Sequence, residues 1–288
     1  MVDLRTDPAR GITVTKETAW ISLNSPKWEQ LSQGWFKDLT WGYQGAGQPW
    51  RDVEWAMMHM ADWDKNGQWS SAQRRLDMGL GFGRYALSIK VGTGKPPGSG
   101  SGLTTTFYLC GKDKTGPQGG QEIDFEFSGH HPNGTSWVWT NIWHNTQQYG
   151  DKTKLWSDTQ PNPLPNSTQG CWPPEGGDPR NVYRYMIDWQ PKTVTWWVDR
   201  GGHGDNYEKI RSQDVSGFQY LEDQCYVFIS FWNSQIGGWS PDGSQFDPSS
   251  AADKITVKGE VVPCFNAFYF QSLEFTPGPE NKITRLLP

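Results

Sequence analysis

Six residues, Glu122-Ile123-Asp124-Phe125-Glu126-Phe127, constrain this chain more than any other stretch. Acid and apolar side chains alternate with period two, the period of a β-strand, so the segment reads as a strand with two unlike faces. Ile123, Phe125 and Phe127 would sit on a core. Glu122, Asp124 and Glu126 would share the other face, where three like charges repel and raise one another's pKa. A strand that sacrifices local consistency in this way marks a functional site. Two carboxylates on one face, pushed apart in pKa, make a general acid and a nucleophile or base. The Cα atoms of Glu122 and Glu126 lie about 13 Å apart along an extended chain. Two glutamates leaning together close that to the about 5–5.5 Å of a retaining glycosidase. Asp124 between them would hydrogen-bond one carboxylate and help set which holds the proton. A solvated acidic face and a cation site are the alternatives.

The rest of the chain has the texture of short strands separated by turns. Its 288 residues are enough for a substantial core, and 33 Gly and 20 Pro are scattered along it. Strands are predicted over 82–91, 103–109, 136–144, 182–189, 193–198, 226–232 and 268–275, with further candidates at 12–15 and 68–75. The stretch Trp55 to Met60 fits a buried strand or a short helix. Loops are predicted over 92–102, 111–120 and 157–181. With almost no long helical periodicity and no internal repeat, the pattern predicts an all-β sandwich or jelly roll of antiparallel sheets, in one domain spanning 1–288. In the strand following the acidic one, Trp137, Trp139, Asn141 and Trp143 share a face, and that face is predicted to line the cleft. Eighteen Trp residues suggest carbohydrate contact, since flat aromatic faces match the C–H faces of sugars.

Composition excludes other partners. The net charge of -5 and the lack of a basic stripe argue against nucleic acid and anionic membranes, and no apolar run approaches a membrane span. No signal peptide is visible at Met1-Val2-Asp3-Leu4-Arg5, which fits a cytoplasmic protein or a mature secreted form; the secreted form is the expectation taken forward. Cys110, Cys171, Cys225 and Cys264 form no Cys-x-x-Cys pair, so zinc is not expected, and an even count allows up to two disulfides. Asn133-Gly134-Thr135 and Asn166-Ser167-Thr168 are glycosylation sequons. His59 reads as a satisfied structural histidine, and His130-His131 as part of a turn. Trp239, after two glycines, reads equally as a cleft aromatic or a structural one. A monomer without a cofactor is expected.

Several segments in order resemble family-16 glycoside hydrolases, the group of lichenases, laminarinases, plant xyloglucan endotransglycosylases and fungal cell-wall transglycosylases. Glu122 to Phe127 resembles the unbulged Glu-x-Asp-x-Glu signature of the lichenase and plant branches. Phe82-Gly83-Arg84-Tyr85 with Lys90, and Gly102 to Leu109, resemble the strand pair before it. Thr140-Asn141 resembles the Thr-Asn after it. Tyr185 to Pro191 with Trp196-Trp197-Val198-Asp199 resembles the family's Asp-Trp-x-Pro hairpin, and Phe231-Trp232-Asn233 its Leu-Trp-Asn. The likeness covers roughly residues 68–275 and implies a concanavalin-like jelly roll with a concave cleft. It implies Glu122 as nucleophile, Asp124 as assisting carboxylate and Glu126 as general acid/base, with Arg75, Asn141, Trp143, His144 and Trp232 lining sugar subsites. Gly120-Gln121, Gln73 and Ser230 depart from the lichenase pattern at sugar contacts. Gln271 stands where some members place a calcium-binding Asp, so a structural calcium is not supported. The implied activity is endo-acting retaining cleavage of a β-1,3-1,4- or β-1,3-glucan. A transglycosylase, a hydrolase of xyloglucan or a galactan, and a lectin-like binding domain remain open beside it.

Overall fold

Alternation dominates the described part of the chain. In the computed structural model these residues are 12–15, 18–23, 25–30, 55–62, 67, 69, 71–92, 102–111, 121–128, 138–144, 147–148, 182–199, 206–217, 225–237, 245–251, 253–257 and 259–278. They form strands β1 (Ile12–Thr15), β2 (Thr18–Ile21), β3 (Trp28–Gln30), β4 (Trp55–Ala61), β5 (Ala72–Leu76), β6 (Gly83–Lys90), β7 (Leu103–Cys110) and β8 (Glu122–Ser128). The second half contributes β9 (Val138–His144), β10 (Gln147–Gln148), β11 (Tyr183–Gln190), β12 (Thr193–Asp199), β13 (Glu208–Asp214), β14 (Tyr226–Asn233), β15 (Asp253–Val257) and β16 (Glu260–Pro277). Helix is confined to one turn at Ser234–Gly237 and a 3-10 turn at Pro248–Ser250 among the described residues.

The strands pair, antiparallel throughout, into two sheets. The smaller has the order β10-β9-β8-β7-β14-β5-β3; the larger runs β1-β2-β16-β6-β11-β12-β13, with β4 and β15 also paired to β16. The fold is a jelly-roll sandwich of two antiparallel sheets, as the punctuation of the sequence predicts. Trp55 to Met60 resolves as strand, and β5 begins at Ala72, later than the predicted start at 68. Strand β16 is much longer than the predicted 268–275. Over 18 residues it meets β15 and β4 first, then β6 and β2, with a register shift between Phe270 and Glu274.

The core lies between the sheets. Ile123, Phe125 and Phe127 of β8 are fully buried, as are Tyr185, Trp189 and Trp196 of the larger sheet. The Phe125 ring lies 5.5 Å from Phe127 and 5.4 Å, edge-on, from Tyr185, while Phe127 sits 4.5 Å from Tyr185. Each buried phenylalanine contributes about 1.5–3 kcal/mol relative to exposure.

The disulfide expectation does not hold. Cys110, Cys225 and Cys264 are buried thiols, and Cys171 lies outside the described residues, so two bridges cannot form. The reason is geometric. Cys110 pairs with Tyr226 and sits in the cluster of Tyr108 and Phe228, whereas Cys225, one residue earlier, belongs to the core between the sheets. Cys264 packs with Ala61 and Val262 on the outside of the larger sheet. Neighbouring strand positions point to opposite faces, so these sulfurs cannot meet. His59 is buried and bonds Asn266 through Nδ1 to Oδ1 at 2.6 Å, the satisfied histidine predicted for it.

The start of β7 depends on Gly102. Its φ of +53° is left-handed, its carbonyl accepts from Ser234 N at 2.8 Å, and a Cβ there would lie 2.5 Å from Phe246 N. Both strain and a backbone collision oppose a side chain. Gly102→Ala is expected to lower unfolding free energy by about 1–3 kcal/mol, read as a lower urea midpoint at unchanged slope.

Candidate active site

Strand β8 lies between β7 and β9, and its register decides which side chains meet. Glu122 is opposite Trp143, Asp124 opposite Asn141 and Glu126 opposite Trp139 on one side. On the other, they face Cys110, Tyr108 and Thr106. Residues directly opposite one another share a face, so the acid trio stands together with Trp139, Asn141 and Trp143 on the outer face of the smaller sheet, as the alternation predicts. Asp124 and Asn141 are buried at 2% and 0% exposure, Glu122 and Glu126 are half-buried, and Trp143 is exposed. A buried acid is thus flanked by two accessible ones, each with an indole beside it. Among the described residues the Asn141 carboxamide, though buried, has no hydrogen-bond partner. No group of three or more His, Cys, Asp or Glu among them is placed to hold a metal ion.

The rows continue onto β14 and β5. Asp124's row runs through Tyr108 and Phe228 to Arg75; Glu126's row runs through Thr106 and Ser230 to Gln73. Tyr108 and Phe228 stack with centroids 4.8 Å apart, and Gln73 Nε2 donates to the Tyr108 hydroxyl. The Thr106 and Ser230 hydroxyls bond each other beside Glu126. Trp232 is on the same face, opposite Thr104. Arg75 shares the face but stands three strands from β8, about 14 Å across the sheet. Its guanidinium is held by Glu29 at 2.6 Å and lies over the Tyr226 ring at 5.3 Å. The His144 side chain, Trp137, Trp239, His130 and His131, residues 93–101 and 112–120 of the predicted loops over 92–102 and 111–120, the predicted loop over 157–181, both sequons and the Gln271 side chain lie outside the described residues. Sequence reasoning assigned no role to Tyr108, Thr106 or Phe228. Their alternation was visible, but only pairing with β8 gives it a side.

The larger sheet holds this face from behind. Trp196 Nε1 donates to the backbone carbonyl of Asp124 at 2.9 Å. Arg211 Nη1 donates to the Thr140 carbonyl at 2.8 Å while its guanidinium covers the Trp196 ring at 5.1 Å. The Tyr269 hydroxyl reaches the carbonyls of Ser230 and Thr106 at 3.0 and 3.2 Å. Burial, reinforced by Tyr108, pushes the Tyr269 phenol well above the usual tyrosine range, so it remains a donor. Three cross-core donors therefore end on the strands that carry or flank the acids.

Residues 45–163, which include the acid strand and β9, match the family model described as glycosyl hydrolases family 16. That segment belongs to glycoside hydrolase family 16. The chain is 27% identical over 180 residues to "Putative xyloglucan endotransglucosylase/hydrolase protein 1" of Arabidopsis thaliana, covering 62% of this chain and 50% of that protein. With "Probable xyloglucan endotransglucosylase/hydrolase protein 8" of the same plant it shares 24% over 203 residues, 67% of this chain and 57% of the other. The chain spans about half the length of the curated relatives it matches. Among solved structures, a Bacillus licheniformis β-glucanase superposes with a TM-score of 0.54 at 15% identity, covering 87% of this chain and 92% of that one. A Crh5 transglycosylase in complex with NAG gives 0.53 at 16% identity, with 95% and 88% covered. At such identities these two attest the jelly-roll fold. No helix among the described residues is long and apolar enough to cross a membrane.

Proposed function

We propose that this chain is an endo-acting, retaining β-glycoside hydrolase whose substrate is a β-1,3-1,4- or β-1,3-glucan. The observation that carries the reading is the acid trio on one accessible face, with Trp139 and Trp143 in register at its two ends. In the first step the Glu122 carboxylate attacks the anomeric carbon. The bond to the leaving sugar oxygen breaks, and that oxygen takes the proton of Glu126. In the second step Glu126, now a carboxylate, removes a proton from water; the oxygen attacks the same carbon and Glu122 leaves. Two inversions give net retention. Buried Asp124 lies between the two and biases which of them holds the proton. Trp139, Trp143 and Trp232 offer ring faces to sugars, while Asn141 lies buried opposite Asp124. The domain is proposed to act outside the cell, as one catalytic unit.

A second reading keeps the site and replaces water by a sugar hydroxyl, giving a transglycosylase. It is favoured by relatives named endotransglucosylase/hydrolase and by the likeness to a Crh5 transglycosylase. One assay separates the two. A panel of mixed-linkage and β-1,3-glucans, xyloglucan and galactans is incubated with the protein, with and without concentrated acceptor oligosaccharide. Shorter oligosaccharides whose new reducing ends are first released as β-anomers are the expected result. Products longer than the donor would move the assignment to transglycosylation. No release from any polymer, or release of α-anomers, would overturn the proposal.

A further inference from the structure

We infer that Trp196 is a positioning residue for the carboxylates: its indole N–H, bound to the Asp124 carbonyl across the core, holds the acid strand in the register that keeps Asp124 and Glu126 on the outer face. The kinetic part of this inference rests on the glycosidase reading; the structural part does not.

The Asp124 carbonyl belongs to the peptide that joins Asp124 to Phe125, in the middle of the trio. A carbonyl oxygen has two lone pairs, so it can take a donor from the core beside one from the sheet. Trp196 arrives from β12 of the opposite sheet at 2.9 Å and is fully buried. The arrangement matters because of strand parity. A slip or bulge of one residue at that peptide would turn Glu126 towards the core and Phe127 towards the cleft. The bond fixes the peptide whose displacement would do this. Trp196 is itself held: the Arg211 guanidinium covers its ring and ties β13 to the Thr140 carbonyl of β9. The acid strand and the neighbour bearing Trp139 and Asn141 are thus anchored to one tryptophan–arginine pair. Trp189 provides the contrast. It is also fully buried, packs on Phe82 at 4.7 Å, and its indole nitrogen has no hydrogen-bond partner among the described residues.

The test compares Trp196→Phe with Trp189→Phe. Both replace an indole by a phenyl ring in the same core, but only the first removes a donor to the acid strand. Trp196→Phe is expected to lower kcat on a cleaved glucan by about tenfold to a hundredfold, the upper figure being the cost of a 1 Å misplacement of a reacting group. KM should change by less than about twofold, and the limb of the pH–rate profile set by Glu126 should move. Trp189→Phe should leave kcat and the profile near those of the parent, whatever it does to melting. Equal kinetics in the two variants would reduce Trp196 to core packing and overturn the inference. A second readout needs no substrate. Hydrogen exchange at the amides of Phe125, Glu126 and Phe127 should be about tenfold faster in Trp196→Phe than in Trp189→Phe; equal exchange overturns the inference as well. If the parent cleaves no glycan, the glycosidase reading falls and the exchange comparison still decides this one. Should Trp196→Phe fail to fold, Arg211→Met leaves the indole and removes its cover. Faster exchange at the same amides is expected there, and unchanged exchange overturns the inference.

Discussion

Glu126→Gln is expected to lower kcat/KM on a natural β-glucan by about 10²–10⁴-fold, the usual contribution of a positioned general acid. Gln is nearly isosteric, so the face made by Trp139, Asn141 and Trp143 stays intact and the loss reports the proton. The defect should depend on the leaving group. An aryl glycoside whose phenol departs without protonation spares the first step but not the second, because Glu126 is also the proposed base that activates the water. A glycosyl-enzyme should then accumulate, visible by mass spectrometry as one adduct on the Glu122 peptide. Glu122→Gln is expected to reduce the rate to background and to form no adduct. Under the proposed mechanism the two variants differ in kind, because one removes the acid/base and the other the nucleophile. Undiminished cleavage by Glu122→Gln would remove the covalent mechanism.

The second large effect is on stability. Phe125→Ala is expected to cost about 3–5 kcal/mol in a denaturant titration, as for other buried phenylalanines cut back to alanine. Phe125 is fully buried between Asp124 and Glu126 in sequence and beneath them in space, with the rings of Phe107, Phe127 and Tyr185 around it. Dispersion contacts on every side are lost together, and a sandwich core cannot collapse to fill the hole without bending β8. Phe125→Leu keeps most of the volume and should cost markedly less. Any fall in kcat among the molecules of Phe125→Leu that remain folded would measure how far the apolar face of β8 governs the acid one.

How much of this was readable in advance depends on where the information lies. Strand β8 was legible because acid and phenyl alternate without interruption, and β9 because its indoles keep the same parity. The hairpin of β11 and β12 was marked by the Gln190-Pro191-Lys192 turn between two apolar strands. Strand β13 was not legible: in Glu208–Asp214 only Ile210 is buried, since an edge strand with much of its surface in solvent needs little apolar pattern. The short β2, β3 and β15 escaped for want of length. Register was out of reach as well, because it is a property of two strands and not of one. That is why Tyr108 and Phe228 were not assigned to the acid face, and why the distance separating Arg75 from the carboxylates had to be seen. The disulfide expectation failed on the same ground: a cysteine count carries no direction, and these thiols face three different ways.

Strand β16 sits inside the larger sheet, although it is made after every other strand described. It hydrogen-bonds to β2, β4, β6 and β15 along its length. Until it emerges from the ribosome, β2 and β4 lack a partner that reaches the sheet, and β6 has an open edge. Tyr269, which supports the carbonyls of Thr106 and Ser230, travels on the same strand. Synthesis therefore carries a long interval of half-built sheet, when exposed edges invite aggregation and a chaperone has most to do. A nascent chain stalled before residue 260 would hold its acid strand with Trp196 and Arg211 already made, but without the Tyr269 hydroxyl that ties β7 and β14 to the larger sheet.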